Sequence, residues 1–167
     1  MNQMKKAFAA ALCVFALTAC GFRPRAKLDL PDTLGPVRVE TSDPYSALGL
    51  ELTTALTRAG ATPASGDAPS AVLKITRETT TNVPLAVDQF ARVREYVTRY
   101  HVDFVLQGAD GLPVFDPQSV ELSREYSFDV NSSAGSPAEQ ELIARELRRD
   151  MEAAILRRIE VVLRHKP

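Results

Sequence analysis

Few side chains in this sequence are equipped for chemistry. Its imidazoles and thiols are two histidines, His101 and His165, and two cysteines, Cys13 and Cys20. His101 and Asp103 stand two residues apart, which puts them on one face of a strand, where a carboxylate could orient an imidazole as in a hydrolytic triad. Any polar strand face gives the same pairing, and His165 lies two residues from the end. The sequence holds no Gly-x-Ser-x-Gly elbow, phosphate-cradling glycine loop or paired-histidine zinc signature. Glu139, Glu141, Glu146, Asp150 and Glu152 are interleaved with arginines at spacings such as Glu141 to Arg145, which suit helix-surface pairs worth roughly a few tenths of a kcal/mol. These residues give no catalytic, metal or cofactor set, and the chain reads as a non-enzyme. What remains is charge. Arg92, Arg94 and Arg99 fall close together, and a planar guanidinium gives two parallel hydrogen bonds to a phosphate or carboxylate. They are candidates for contact with an anionic ligand or partner; the alternative is solvated residues balanced by Glu95 and Asp103.

Cys20 has a more specific setting. Lys5 and Lys6 precede an apolar run from Ala7 to Leu17, the layout of a signal peptide over residues 1–19. The run is too short to cross a bilayer, which takes about 20 apolar residues in a helix, and no other stretch is apolar enough. Leu17-Thr18-Ala19-Cys20 resembles the bacterial lipobox, in which the cysteine is acylated and becomes the new N-terminus. Gly21 stands where an aspartate would signal retention at the inner membrane, so the expectation is an outer-membrane lipoprotein facing the periplasm. Cys13 would leave with the leader and Cys20 would carry the lipid, leaving no thiol for a disulfide, metal or nucleophile.

Cleavage would also remove Lys5 and Lys6 from the 20 basic residues, leaving eighteen against 21 acidic ones, a net charge of about −3. That balance excludes a nucleic-acid binder. Gly21 to Pro36 is Pro-rich and charged, with too few apolar residues to pack by itself, and reads as an extended tether over 20–36. Residues 37–167 suit one domain. Val37 and Val39 alternate with charged residues as a first strand. Asp43-Pro44 reads as the start of a helix that runs through Leu48, Leu52 and Leu56 to Gly60. Ala71 to Thr81 reads as a second strand. Tyr96 to Leu106 alternates most clearly as a third, with Arg99, His101 and Asp103 on the opposite face. After a turn at Gly108 to Gly111, Val120 to Phe128 forms a fourth strand, a hairpin neighbour of the third. Ser136-Pro137-Ala138-Glu139 matches a capping box. The helix it opens carries Ile143, Leu147, Met151, Ile155, Ile159 and Leu163 as an apolar stripe, widened by Leu142, Ala154 and Val162. The expectation is an α+β fold, a two-layer sandwich of two helices on a mostly antiparallel four-stranded sheet.

Cys20-Gly21-Phe22-Arg23-Pro24-Arg25, a helix containing Leu52-Thr53-Thr54-Ala55-Leu56 and ending near Gly60, strands including Glu95-Tyr96, and a last helix opened by Ala138-Glu139-Gln140-Glu141 follow one another. In that order and spacing the chain resembles the LptE family of lipopolysaccharide-assembly lipoproteins. The resemblance implies a plug inside an LptD-like outer-membrane β-barrel that assists the barrel's folding and the delivery of lipopolysaccharide to the outer leaflet. The anionic partner of Arg92, Arg94 and Arg99 would then be the barrel's inner wall or glycolipid phosphates. Where family members carry a basic contact residue before the last helix, this chain has Ser136-Pro137. The alternative function is an accessory lipoprotein of another envelope transport or cell-wall machine, and an enzyme acting on lipid or peptidoglycan ranks third.

The leader generates the first prediction. Intact mass of membrane-extracted protein should show acylation at Cys20, and Cys20→Ala should shift a folded chain to the soluble fraction, because each buried methylene of an acyl chain is worth about 0.8 kcal/mol. An unmodified chain starting elsewhere would contradict the lipobox.

Overall fold

The computed structural model describes residues 35–66, 68–127 and 136–164. The leader, Cys20, nearly all of the expected tether, Phe128 and the side chain of Ser136 lie outside the described residues. The elements are β1 (Val37–Thr41), α1 (Ala47–Arg58), β2 (Ala71–Val87), β3 (Val93–Gln107), β4 (Gln118–Ser127) and α2 (Ser136–Arg164). The four strands form one sheet in the order β1-β2-β3-β4.

This is an α+β fold with a mixed sheet. β1 pairs parallel with β2, because α1 carries the chain back to the end where β1 began. The other two pairs are antiparallel. β3 and β4 are hairpin neighbours, as their alternation predicts.

The first helix starts later than expected. Asp43 and Pro44 build a separate turn, in which the Tyr45 N–H donates to Asp43 Oδ1 at 2.9 Å and the Ser46 N–H to the Asp43 carbonyl at 3.0 Å. Ser46 is the N-cap, its Oγ accepting from the Gly49 N–H at 3.1 Å. Gly49 permits close approach to β1, since a Cβ there would lie 2.8 Å from Thr41 Cγ2. The far end behaves as the sequence predicts. Gly60, at φ +100°, donates to the Thr57 carbonyl while the Ala61 N–H reaches the Leu56 carbonyl at 3.0 Å, the paired bonds of a Schellman stop.

β2 runs six residues beyond the predicted end at Thr81. β1 accompanies it only from Ala71 to Ile75. Beyond that point β2 has β3 alone as partner, and a strand with a free edge tolerates Pro84. The register shifts around Ala86, a bulge that accommodates the irregularity. β2 and β3 therefore make a hairpin far longer than the rest of the sheet.

Both helices share one apolar cluster with the sheet. Leu48 and Leu52 of α1, Leu73 and Ile75 of β2, Val102, Phe104 and Leu106 of β3, and Leu147, Met151, Ile155 and Ile159 of α2 are all 2% exposed or less. The even-numbered residues of β3 face this core, and Phe104 meets Phe115 edge-on at 6.4 Å. Leu142, expected to widen the apolar stripe of α2, is instead 47% exposed. Arg148 of this helix is partly covered and pairs with Glu51 of α1 at 2.9 Å.

Leu147→Ala or Ile155→Ala should cost roughly 2–5 kcal/mol in a denaturant melt, from lost burial and the cavity left behind. Leu142→Ala should stay within about 0.5 kcal/mol. Neutral core substitutions would show that the stripe faces something other than this sheet.

Candidate functional site

The end of the β2–β3 hairpin gathers two of the three arginines that the sequence singled out. Asp88 organises it. Its Oδ1 accepts from the backbone N–H of Phe90 at 2.8 Å and of Arg92 at 3.0 Å. Its Oδ2 lies 2.9 Å from Arg92 Nε and 3.2 Å from Arg94 Nε. Ala91 takes a left-handed conformation, φ 59°, to close the turn. The Arg92 guanidinium stands 5.1 Å over the Phe90 ring, within cation–π range.

One carboxylate thus faces two guanidiniums, and the turn keeps a net positive charge. Partial desolvation pushes the Asp88 carboxyl up, but the two backbone N–H donors and the Arg92 guanidinium outweigh it and hold the group below its usual value of 3.8. Beside this charge the hairpin is apolar. Leu85 is 52%, Val87 60% and Phe90 68% exposed, an unusual concentration of apolar surface on a projecting element.

Arg99 does not join its two neighbours. It pairs in register with Thr81 and Ser123, on the odd-numbered face of β3, whereas Arg94 shares parity with Tyr96 on the helix-bearing face. The sequence reading already set Arg99 on the face of His101 and Asp103, apart from Arg92 and Arg94 at the start of the strand, and the register agrees. It missed Asp88 and the apolar residues altogether, having ended the second strand at Thr81. The alternation of Val83, Leu85 and Val87 carried the signal.

Two further polar clusters lie along the sheet. Glu78 accepts from Ser46 Oγ at 2.8 Å and from the Tyr100 hydroxyl at 2.6 Å, tying the cap of α1 to β2 and β3. Burial and then this hydrogen bond to Glu78 push the Tyr100 hydroxyl far above its usual range, so Tyr100 remains a neutral donor. On the opposite face, His101 Nε2 lies 3.0 Å from Asp103 Oδ1 and 3.4 Å from Ser119 Oγ, while Nδ1 lies 3.7 Å from Glu121. A triad needs its orienting carboxylate and its nucleophile on opposite ring nitrogens. Asp103 and Ser119 share one nitrogen here, and Glu121 lies 3.7 Å from the other, beyond hydrogen-bond distance. Among the described residues no three His, Cys, Asp or Glu side chains are placed to hold a metal, and no helix is long and apolar enough to cross a membrane.

The depressed Asp88 group fixes a pH dependence. A lowered carboxyl stabilises the turn in full above its ordinary value and loses that contribution as pH falls through the lower, folded one. The Phe90 and Arg92 amide resonances should therefore hold steady down to about pH 4 and shift below it, with no such transition in Asp88→Asn. Identical titrations in both proteins would remove Asp88 from the turn.

Three solved structures share the fold. Lipoprotein B from Nitrosomonas europaea superposes with a TM-score of 0.74 at 22% identity, covering 87% of this chain and 94% of that one. The rare lipoprotein B from Shewanella oneidensis gives 0.65 at 24% identity, covering 78% of this chain and 100% of that one. A minor lipoprotein from Acinetobacter baumannii gives 0.65 at 20% identity, over 78% and 94%. None of the curated protein sequences compared matches the chain. The family model described as LptE, lipopolysaccharide-assembly, matches residues 34–159. That match spans the whole sheet, α1 and most of α2, hairpin end included, and on it this chain belongs to the LptE family of lipopolysaccharide assembly.

Proposed function

We propose that this protein is lipid-anchored to the outer membrane through Cys20 and stands as a plug in an LptD-like β-barrel, where it assists the barrel's assembly and passes lipopolysaccharide toward the outer leaflet. Residues 20–36 would be the tether and 37–167 the plugging domain, its two helices layered on one face of the sheet.

One observation carries this reading. The chain enters the sheet at Val37, beside Ala71, and β3 ends at Gln107 in that same region, while the Asp88–Arg92 turn closes the other end of the longest strands. At about 3.3 Å per residue, the 17 residues of β2 reach on the order of 55 Å. A bilayer's hydrocarbon core is about 30 Å thick. A protein anchored at the tether end would hold its arginine-bearing turn farther away than the hydrocarbon core is thick, a reach that suits a plug spanning a barrel. The lumen of a large barrel is polar, which suits the sheet face carrying Arg77, Thr79, Thr81, Arg99, His101 and Glu121. At the tip, guanidiniums beside exposed Leu85, Val87 and Phe90 suit a lipid with an anionic head and acyl chains. Arg99 belongs to the lumen-facing side of this proposal, and Arg92 and Arg94 to the glycolipid side.

Arg92→Ala and Arg94→Ala should each weaken lipopolysaccharide binding about tenfold, the scale of one charge-assisted hydrogen bond, and the loss should shrink as salt is raised. The pair should lose more. Arg99→Ala should spare glycolipid binding and weaken recovery of the barrel with the tagged protein. Unchanged binding in every folded variant would leave these arginines as surface charge, and absence of a stoichiometric barrel would contradict the plug itself.

A further inference from the structure

The two edges of the sheet are treated differently. At the β1 edge the chain covers its own backbone, with the Val37 N–H donating to the Thr62 carbonyl at 2.9 Å and the Ala64 N–H to the Val37 carbonyl at 3.1 Å. β4 is the other outermost strand, ten residues long. Among the described residues nothing makes a backbone hydrogen bond to its outer side. An open edge of that length is a template for another strand.

A groove runs beside this edge. It measures about 450 Å³ and lies between Arg124–Ser127 of β4 and the flank of α2 formed by Glu139, Leu142, Ile143 and Glu146. An edge strand facing a helix across a groove is the arrangement into which peptides add as an extra strand. Exposed Leu142, which the core leaves out, supplies an apolar wall.

From this juxtaposition we infer that the β4 edge and its groove receive an extended, cationic segment of a partner protein as a fifth, antiparallel strand. Charge selects the occupant. Glu95, Glu125, Glu139 and Glu146 line the groove, and the guanidinium of its one arginine, Arg124, is held by Asp150 at 2.6 Å. Glu121 and Glu125 project from one face of β4, opposite His101 and Val97, so an incoming strand with Lys or Arg at alternate positions meets both carboxylates. A second copy of this chain is disfavoured, because antiparallel self-pairing centred on Ser123 sets Glu121 against Glu125 twice. An anionic lipid meets four carboxylates. The edge is thus closed to its own kind and open to a basic strand.

The test uses the full mature protein in detergent and two synthetic peptides, acetyl-(Lys-Val)4-amide and acetyl-(Glu-Val)4-amide. The lysine peptide is expected to bind saturably and to slow hydrogen exchange at alternate β4 amides by about tenfold or more, while the glutamate peptide does neither. Glu125→Lys combined with Glu146→Lys, both exposed positions, should weaken lysine-peptide binding at least about tenfold. Binding without β4 protection, equal binding of the two peptides, or β4 amides already buried by a dimer of this chain would each overturn the inference. The exchange experiment needs only the unaltered protein, so it decides even if the double variant does not fold. It is independent of whether a barrel co-purifies.

Discussion

The antiparallel ladder between β2 and β3 is the constraint on which the rest of this structure depends. Its registered pairs extend from Val72 and Gln107 to Val87 and Val93, and helices back it from the β1 end as far as Tyr96 and Tyr126, where Gln140 of α2 donates to the Tyr126 hydroxyl at 3.3 Å. Buried side chains hold that part. The projecting part has to be held by local means. Asp88 closes its turn with the Phe90 and Arg92 backbone N–H groups and the Arg92 and Arg94 guanidiniums; nearer the core the Tyr96 and Tyr126 rings stack at 5.5 Å and the Thr98 hydroxyl donates to Asn82 at 2.8 Å. A long two-stranded ribbon is marginal by itself, and β4 stiffens this one by running along β3 as far as Glu95.

Polar groups then divide the labour by position. Glu78, Ser46 and Tyr100 join the helix layer to the sheet, with Arg148 and Glu51 joining helix to helix beside them. A carboxylate near the start of α1 also suits the positive end of the helix dipole. Glu152, raised by burial and by the charge of Glu51, marks how closely like charges crowd along this seam. At the hairpin end the balance changes sign, with two guanidiniums on one carboxylate. One molecule thus carries a basic tip and an acidic groove, a distribution that suits contact with more than one kind of partner.

Much of this was legible in the sequence, and the exceptions share a cause. Strand 3 was readable because Tyr96 to Leu106 alternates without a break against a one-sided core. The Gly60 stop was readable because a left-handed residue after a helix nearly demands glycine. The start of α1 was misread because Asp43-Pro44 and Ser46 are both good openings, and only the tertiary bond from Ser46 to Glu78 favours the second. β2 was cut short because Pro84 sits inside the alternation of Val83, Leu85 and Val87, and a proline argues against a strand except at a free edge. Leu142 was assigned to the core because it stands next to the buried Ile143, but one residue is about 100° of helix rotation, which carries it off the stripe onto the flank. The candidate site was half legible, since arginine spacing drew attention to this turn while Asp88, the residue that fixes their geometry, reads in isolation as an ordinary loop aspartate.

The central claim is that the anchored end and the ligand-bearing end of this molecule lie at opposite ends of one long hairpin. It can be tested by placing a photo-crosslinking residue at position 90, in the turn, or at position 112, in the β3–β4 turn beside the end where the chain enters the sheet, and irradiating intact outer membranes. The account predicts glycolipid adducts from position 90 and none from position 112, with barrel adducts from both. Glycolipid captured at position 112 and not at position 90 would contradict it.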